Sequence, residues 1–185
     1  MAGRYRATVK TIEKPWGEWF SLDELEAALI EHKPAILALV HAETSTGVCQ
    51  PMDGIGDLCR KHDCLLLLDT VTSLGGVPLY IDEWKVDLAY SCSQKGLSCP
   101  PGLGPFTMGP RAEEKMASRS GKVPNWYLDV SLLNQYWGSD RVYHHTAPVN
   151  MNFGMREALR LLAEEGLDQA WARHRRNAER LWSGL

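Results

Sequence analysis

Residues 64–70 read CLLLLDT, four consecutive leucines delivering a single carboxylate. In an extended segment successive side chains point to opposite faces, so a strand here is apolar on both and must be covered from both sides. Such a strand belongs inside a sheet, with helices above and below it. The rest of the chain supplies the matching pattern. Residues 35–40 (AILALV), 87–91 (DLAYS) and 105–108 (PFTM) read as further strands, and residues 7–12 (ATVKTI) as another near the start. Ser21-Leu22-Asp23-Glu24 opens a helix with a capping box before the periodic Leu25, Ala28 and Leu29. Residues 53–62 carry helical spacing. From Ser131 onward the chain turns helical, with strong periodicity over 155–165 and 167–185 on either side of Gly166. Strands alternating with helices predict an α/β fold, a mostly parallel sheet flanked by helices.

In sheets of this kind ligands gather beyond the carboxyl ends of the strands, where connecting loops converge and helix N-termini offer backbone donors. Three polar loops are expected at that edge: 44–46, 69–73 and 93–95. Asp69 ends the leucine run, and Lys95, in SCSQKGL, follows the strand at 87–91. A strand-end amine and a strand-end carboxylate together suit pyridoxal phosphate. That cofactor needs an amine to hold its aldehyde as a Schiff base, and an anion to keep its pyridine nitrogen protonated so that the ring can act as an electron sink. The plainer readings are a surface lysine after a buried strand and an aspartate capping the turn that follows it. Gly102-Leu103-Gly104 lacks the third glycine of a dinucleotide fingerprint, and no Gly-rich run ends in Gly-Lys-Ser/Thr. Pro100-Pro101-Gly102 reads instead as a rigid turn beyond the lysine loop.

Charge and cysteine usage narrow the classes further. A formal net charge of −3 with interspersed signs offers no footprint for nucleic acid or an anionic membrane. Arg173, Arg175, Arg176 and Arg180, mixed with Glu179, read as a solvated helix face. The five cysteines are odd in number and mostly sit in or beside core elements, which fits reduced thiols; none is paired at zinc-site spacing, and His144-His145 are adjacent, so no metal is expected. With 44% hydrophobic residues, no signal-like leader and no run near the roughly 20 apolar residues of a membrane span, the chain reads as soluble and intracellular.

Five segments, in order, carry a resemblance: HAETSTGVCQP (41–51), LLLLDTVTSLGGVPL (65–79), DLAYSCSQKGL (87–97), PPG (100–102) and YHHTAPV (143–149). The set resembles the class V, fold-type I pyridoxal-phosphate aminotransferases, and within them the alanine–glyoxylate (serine–pyruvate) group. The resemblance implies that residues 1–149 are part of the cofactor-binding large domain and that 150–185 form a helical segment leading toward a small C-terminal domain. It implies that Lys95 binds the cofactor and later shuttles a proton, in a desolvated pocket that favours its neutral amine. Asp69 is then the partner of the pyridine N–H, Thr44 the hydroxyl supporting the ring and Gln94 a phosphate ligand. Tyr143 and Thr146 reach the phosphate of a neighbouring subunit's cofactor, in a homodimer with composite sites. Ser73 and Gly75-Gly76 serve backbone geometry.

Members of the group are about twice this long. The parts beyond this chain should carry a Ser-Gly-His phosphate loop, an aromatic residue that stacks on the ring, and an arginine for the substrate carboxylate. The reaction implied is transamination between alanine or serine and a keto acid such as glyoxylate or pyruvate. A hydroxykynurenine transaminase, a desulfurase-like member, or a shortened isoform acting only as a dimerising or regulatory partner stays open. Peroxisome, mitochondrion and cytosol all occur in the group; the resemblance favours the peroxisome, although the final Ser-Gly-Leu lacks the basic middle residue of a peroxisomal tripeptide.

Overall fold

The computed structural model describes residues 2–5 and 7–185. Four strands form one sheet in the order of the chain: β1 (Ile36–Val40), β2 (Leu65–Asp69), β3 (Leu88–Tyr90) and β4 (Phe106–Met108). β2 pairs in parallel with β1 on one side and β3 on the other, while β4 runs antiparallel to β3. The leucine run is therefore interior, and Leu66 and Leu68 are completely buried. β1, with one flank of the sheet to itself, leaves Ile36, Ala38 and Val40 exposed.

The core on one side of the sheet is set by two helices. α1 (Leu22–His32) buries Leu25 and Leu29, and α2 (Ile55–Lys61) buries Ile55 and Cys59; these pack with Met52, Leu39, Leu66, Leu68 and Ala89. The capping box of α1 is present: Glu24 donates its backbone N–H to Ser21 Oγ at 3.3 Å, and Glu24 Oε2 accepts from the Ser21 backbone N–H at 2.8 Å. Lys14 and the Ser21 donors hold the Glu24 carboxyl down at about 2. α2 is shorter than the spacing over 53–62 predicts, because the chain enters it through Gly54 in a left-handed conformation (φ 83°). Gly56 lets the helix close onto the turn before β3: a Cβ there would stand 2.0 Å from the Trp84 carbonyl oxygen.

One sequence expectation needs correction, and one helix has no counterpart in the sequence reading. Residues 7–12 form no strand; only Ile12 of that stretch packs against the core, and with no strand paired to it the segment has no ladder to join. That helix is α3 (Pro110–Ala117), which starts with Pro at its first turn and buries only Ala112. Its Arg111 reaches back beneath the sheet. There Asp87, 4% exposed, accepts from Arg111 Nη1 at 3.1 and 2.9 Å and from the Leu66 backbone N–H at 2.9 Å, while Arg111 Nη2 donates to the Cys64 carbonyl at 3.2 Å. This one ion pair ties α3 to the starts of β2 and β3.

The C-terminal third is helical, as its periodicity predicts: α4 (Val130–Trp137), α5 (Val149–Glu165) and α6 (Leu167–Ser183). Gly166, with φ 83°, ends α5 and begins α6. α5 starts before the predicted residue 155 because Pro148 launches it. The arginine face of α6 is solvated and paired, Arg173 with Glu165 and Arg175 with Glu179. Among the described residues no helix is long and apolar enough to cross a membrane.

Candidate active site

The three loops beyond the carboxyl ends of β1, β2 and β3 are bonded into one surface. Val40, Asp69 and Tyr90 are neighbours in register across the three strands. Immediately beyond them, the His41 N–H donates to the Asp69 carbonyl at 3.0 Å and the Thr70 N–H to the Tyr90 carbonyl at 2.9 Å. Thr70 Oγ1 donates to that same Tyr90 carbonyl at 2.8 Å, and Ser91 Oγ returns a bond to the Thr70 carbonyl at 3.0 Å. Farther out, the two central loops touch backbone to backbone: a Cβ on Gly75, where φ is 81°, would lie 2.9 Å from the Gly96 carbonyl oxygen. Glycine is required at that contact, in keeping with the structural role expected of Gly75. The Asp69 loop and the Lys95 loop thus form a single packed unit.

Within this surface Asp69 has both carboxylate oxygens engaged. Oδ1 accepts from the Val71 N–H at 2.8 Å, so the aspartate does cap its own turn, and Oδ2 accepts from the Tyr90 phenol at 2.5 Å. Burial, together with the Asp69 carboxylate beside it, pushes the Tyr90 phenol up to about 12. Thr44 from the β1 loop shares a hydrogen with Thr72 from the β2 loop, Oγ1 to Oγ1 at 2.7 Å. Lys95 and Gln94 are exposed, and the desolvated surroundings expected of the lysine are not supplied by this chain. What the chain does supply is a rigid base for them. Ser93, wholly buried, donates from Oγ to the Pro100 carbonyl at 2.7 Å and accepts from the Leu103 N–H at 3.3 Å, and its carbonyl receives the Cys99 N–H at 3.0 Å. Gly102 takes a positive φ of 139°, as the proline-glycine turn anticipates.

Tyr90, Thr72 and Ser93 escaped sequence reading. A tyrosine in a three-residue strand looks like packing, and only the register shows that it stands opposite Asp69. Tyr143 and Thr146, in the segment between α4 and α5, are both exposed. Their hydroxyls meet each other at 3.0 Å, Tyr143 is 69% exposed, and among the described residues no hydrogen bond joins either to the loops of Asp69, Thr44 or Lys95. Between them His144 stacks on Trp126 at 4.1 Å and bonds to His145, Nδ1 to Nδ1 at 2.8 Å, a packing arrangement. A cavity of about 1050 Å³ forms an apolar groove between the 74–75, 97 and 102–105 segments and helices α4 and α5; none of the six predicted site residues lines it.

His41, under the same surface, sets an acid limit on the fold. It is 3% exposed, with its ring edge-on to Trp84 at 5.1 Å and Nε2 3.6 Å from Cys49 Sγ, while Nδ1 has no partner among the described residues. Burial lowers its pKa below the ordinary 6.5, so the unfolded chain takes up the proton first as pH falls. Stability is then full above 6.5 and declines as pH drops from 6.5 toward the depressed folded value. Urea midpoints measured across that window should fall in the wild type and fall less in His41→Leu; equal slopes would contradict the burial argument.

A family profile described as aminotransferase class-V matches residues 1–185, the whole chain. The alanine–glyoxylate aminotransferase of Oryctolagus cuniculus is 46% identical over 185 residues, an alignment covering 98% of this chain and 47% of that protein. The crystal structure of an alanine–glyoxylate aminotransferase from Nostoc sp. superposes with a TM-score of 0.97 at 66% identity, over 98% of this chain and 48% of that one. A ureidoglycine–glyoxylate aminotransferase from Bacillus subtilis follows with a TM-score of 0.91 at 40% identity, covering 94% and 45%. The chain spans about half the length of the curated relatives it matches.

Proposed function

Because the chain belongs to the class-V aminotransferase family, a family of pyridoxal-phosphate enzymes, we propose that it is part of a transaminase exchanging the amino group of alanine with glyoxylate. The observation that carries this is the bonded unit of the Asp69 and Lys95 loops at the carboxyl end of β2 and β3. The donor set fits the cofactor: a fixed carboxylate, a primary amine on a locked loop, and a hydroxyl from a third loop, Thr44, paired with Thr72 of the Asp69 loop. When bound, pyridoxal phosphate supplies an electron-withdrawing ring that stabilises negative charge at the substrate α-carbon. The chain's residues do the rest. Asp69 keeps a proton on the ring nitrogen, which lets the ring accept charge. Lys95 would hold the cofactor through Nζ and, once that amine is free, would take up the substrate proton and give it back. Thr44 and Gln94 orient the ring and the phosphate.

Glyoxylate as acceptor is supported by relatives named for alanine–glyoxylate and ureidoglycine–glyoxylate exchange; serine as donor and pyruvate as acceptor belong to the same reading. The exposed pair of Tyr143 and Thr146 supports contact with the cofactor phosphate of a second subunit, hence a homodimer. On this reading residues 1–149 hold the cofactor site and 150–185 lead out of that domain. The intact protein, saturated with pyridoxal phosphate, is expected to form pyruvate and glycine in equal amounts from alanine and glyoxylate; a folded, cofactor-bound protein that forms neither would overturn the proposal. Asp69→Asn should lower turnover about 10²-fold while changing cofactor affinity far less, since the lost charge acts mainly as charge develops. Equal turnover would remove the electronic role from Asp69.

A further inference from the structure

The same geometry gives Tyr90 a task. Asp69 stands at the last residue of β2, directly opposite Tyr90 at the last residue of β3, so both side chains leave the sheet on one face. The carboxylate has two oxygens and one of them, Oδ1, is already fixed by the Val71 N–H. A single bond of that kind leaves the group free to pivot about its Cβ–Cγ axis. The Tyr90 phenol closes that freedom by donating to Oδ2 at 2.5 Å, within the short range of charge-assisted O–H···O⁻ bonds. The phenol is in turn held by its backbone, whose carbonyl receives both Thr70 donors.

We infer that Tyr90 is a positioning residue: its phenol fixes the plane of the Asp69 carboxylate and so aims that charge at the ring nitrogen of the cofactor. The inference rests on the functional reading of Asp69 given above. No proton is transferred; the phenol donates a hydrogen bond throughout and remains neutral, consistent with an ionisation pushed up to about 12. The aromatic ring itself, 40% exposed, contributes packing that phenylalanine would keep, so Tyr90→Phe removes the bond and little else.

Two measurements on the intact protein test this. The first is turnover in a double-mutant cycle. Tyr90→Phe is expected to lower turnover about tenfold, the size of one hydrogen bond to a charged group, and to lower it less than about twofold when introduced into Asp69→Asn. A purely structural role for the tyrosine predicts the same loss in both backgrounds, and that result overturns the inference, as does wild-type turnover in Tyr90→Phe while Asp69→Asn is impaired. If Asp69→Asn itself keeps wild-type turnover, the reading of Asp69 fails and the role of Tyr90 falls with it. The second measurement needs no cofactor: alkaline titration of ring-labelled tyrosines by NMR, with Tyr90 assigned from its absence in Tyr90→Phe. Tyr90 is expected to stay protonated well above the ordinary value of about 10 in the wild type and to ionise at lower pH in Asp69→Asn. Ionisation at the same pH in both proteins would contradict the bond.

Discussion

Replacing Lys95 by alanine in the intact protein is expected to lower transamination by about 10⁴-fold or more. A positioned group that moves a proton contributes about 10² to 10⁴ on its own, and here the same amine also holds the cofactor. The loop carrying it is locked at both ends by Ser93, so no neighbouring amine can slide into its place. Lys95→Arg sharpens the test. Arginine keeps the positive charge but does not give up its proton in the accessible pH range, so it should be nearly as inactive as alanine. Steady-state rates with alanine and glyoxylate check both variants. Activity within tenfold of wild type in either one would mean that some other residue carries the proton.

The second large effect concerns stability. Arg111→Met is expected to cost about 3 kcal/mol, the lower end of the range for removing one partner of a buried pair, because the arginine side chain is 30% exposed while Asp87 is 4% exposed. Methionine covers the same apolar surface but leaves the Asp87 carboxylate with only the Leu66 N–H, and frees the Cys64 carbonyl of its donor. Urea unfolding at neutral pH reads the difference. A loss under about 1 kcal/mol would show that water replaces the guanidinium at no great penalty. The pair matters to the site because it fixes the beginnings of the two strands whose ends present Asp69 and Tyr90.

The parts of the fold written in local pattern were legible in the sequence. Four leucines in a row could only be an interior strand, and the capping box at Ser21 marked the start of α1 to the residue. The strand-end position of Asp69, and the placing of Lys95 in the loop that follows β3, are both legible from where those runs stop. What escaped depended on partners distant in sequence. Residues 7–12 read as a strand, but among the described residues no strand pairs with them. α3 is short and largely solvated, with only Ala112 buried; its meaning lies in one arginine that finds an aspartate 24 residues upstream. Tyr90 is the sharpest case, since its partner is fixed by register across two strands that no local window contains. Tyr143 and Thr146 are legible as a pair through their resemblance, while among the described residues their exposed hydroxyls bond only to each other.

A lysine and an aspartate serving one ring are the core of the proposed chemistry, and the lysine can be read directly. The intact protein is loaded with pyridoxal phosphate, reduced with borohydride to make any bond to the cofactor permanent, digested, and its peptides are weighed. One modified peptide is expected, carrying the reduced cofactor on Lys95 and absent from Lys95→Ala. Stoichiometric modification of a different lysine, with Lys95 recovered unmodified, would contradict the proposal.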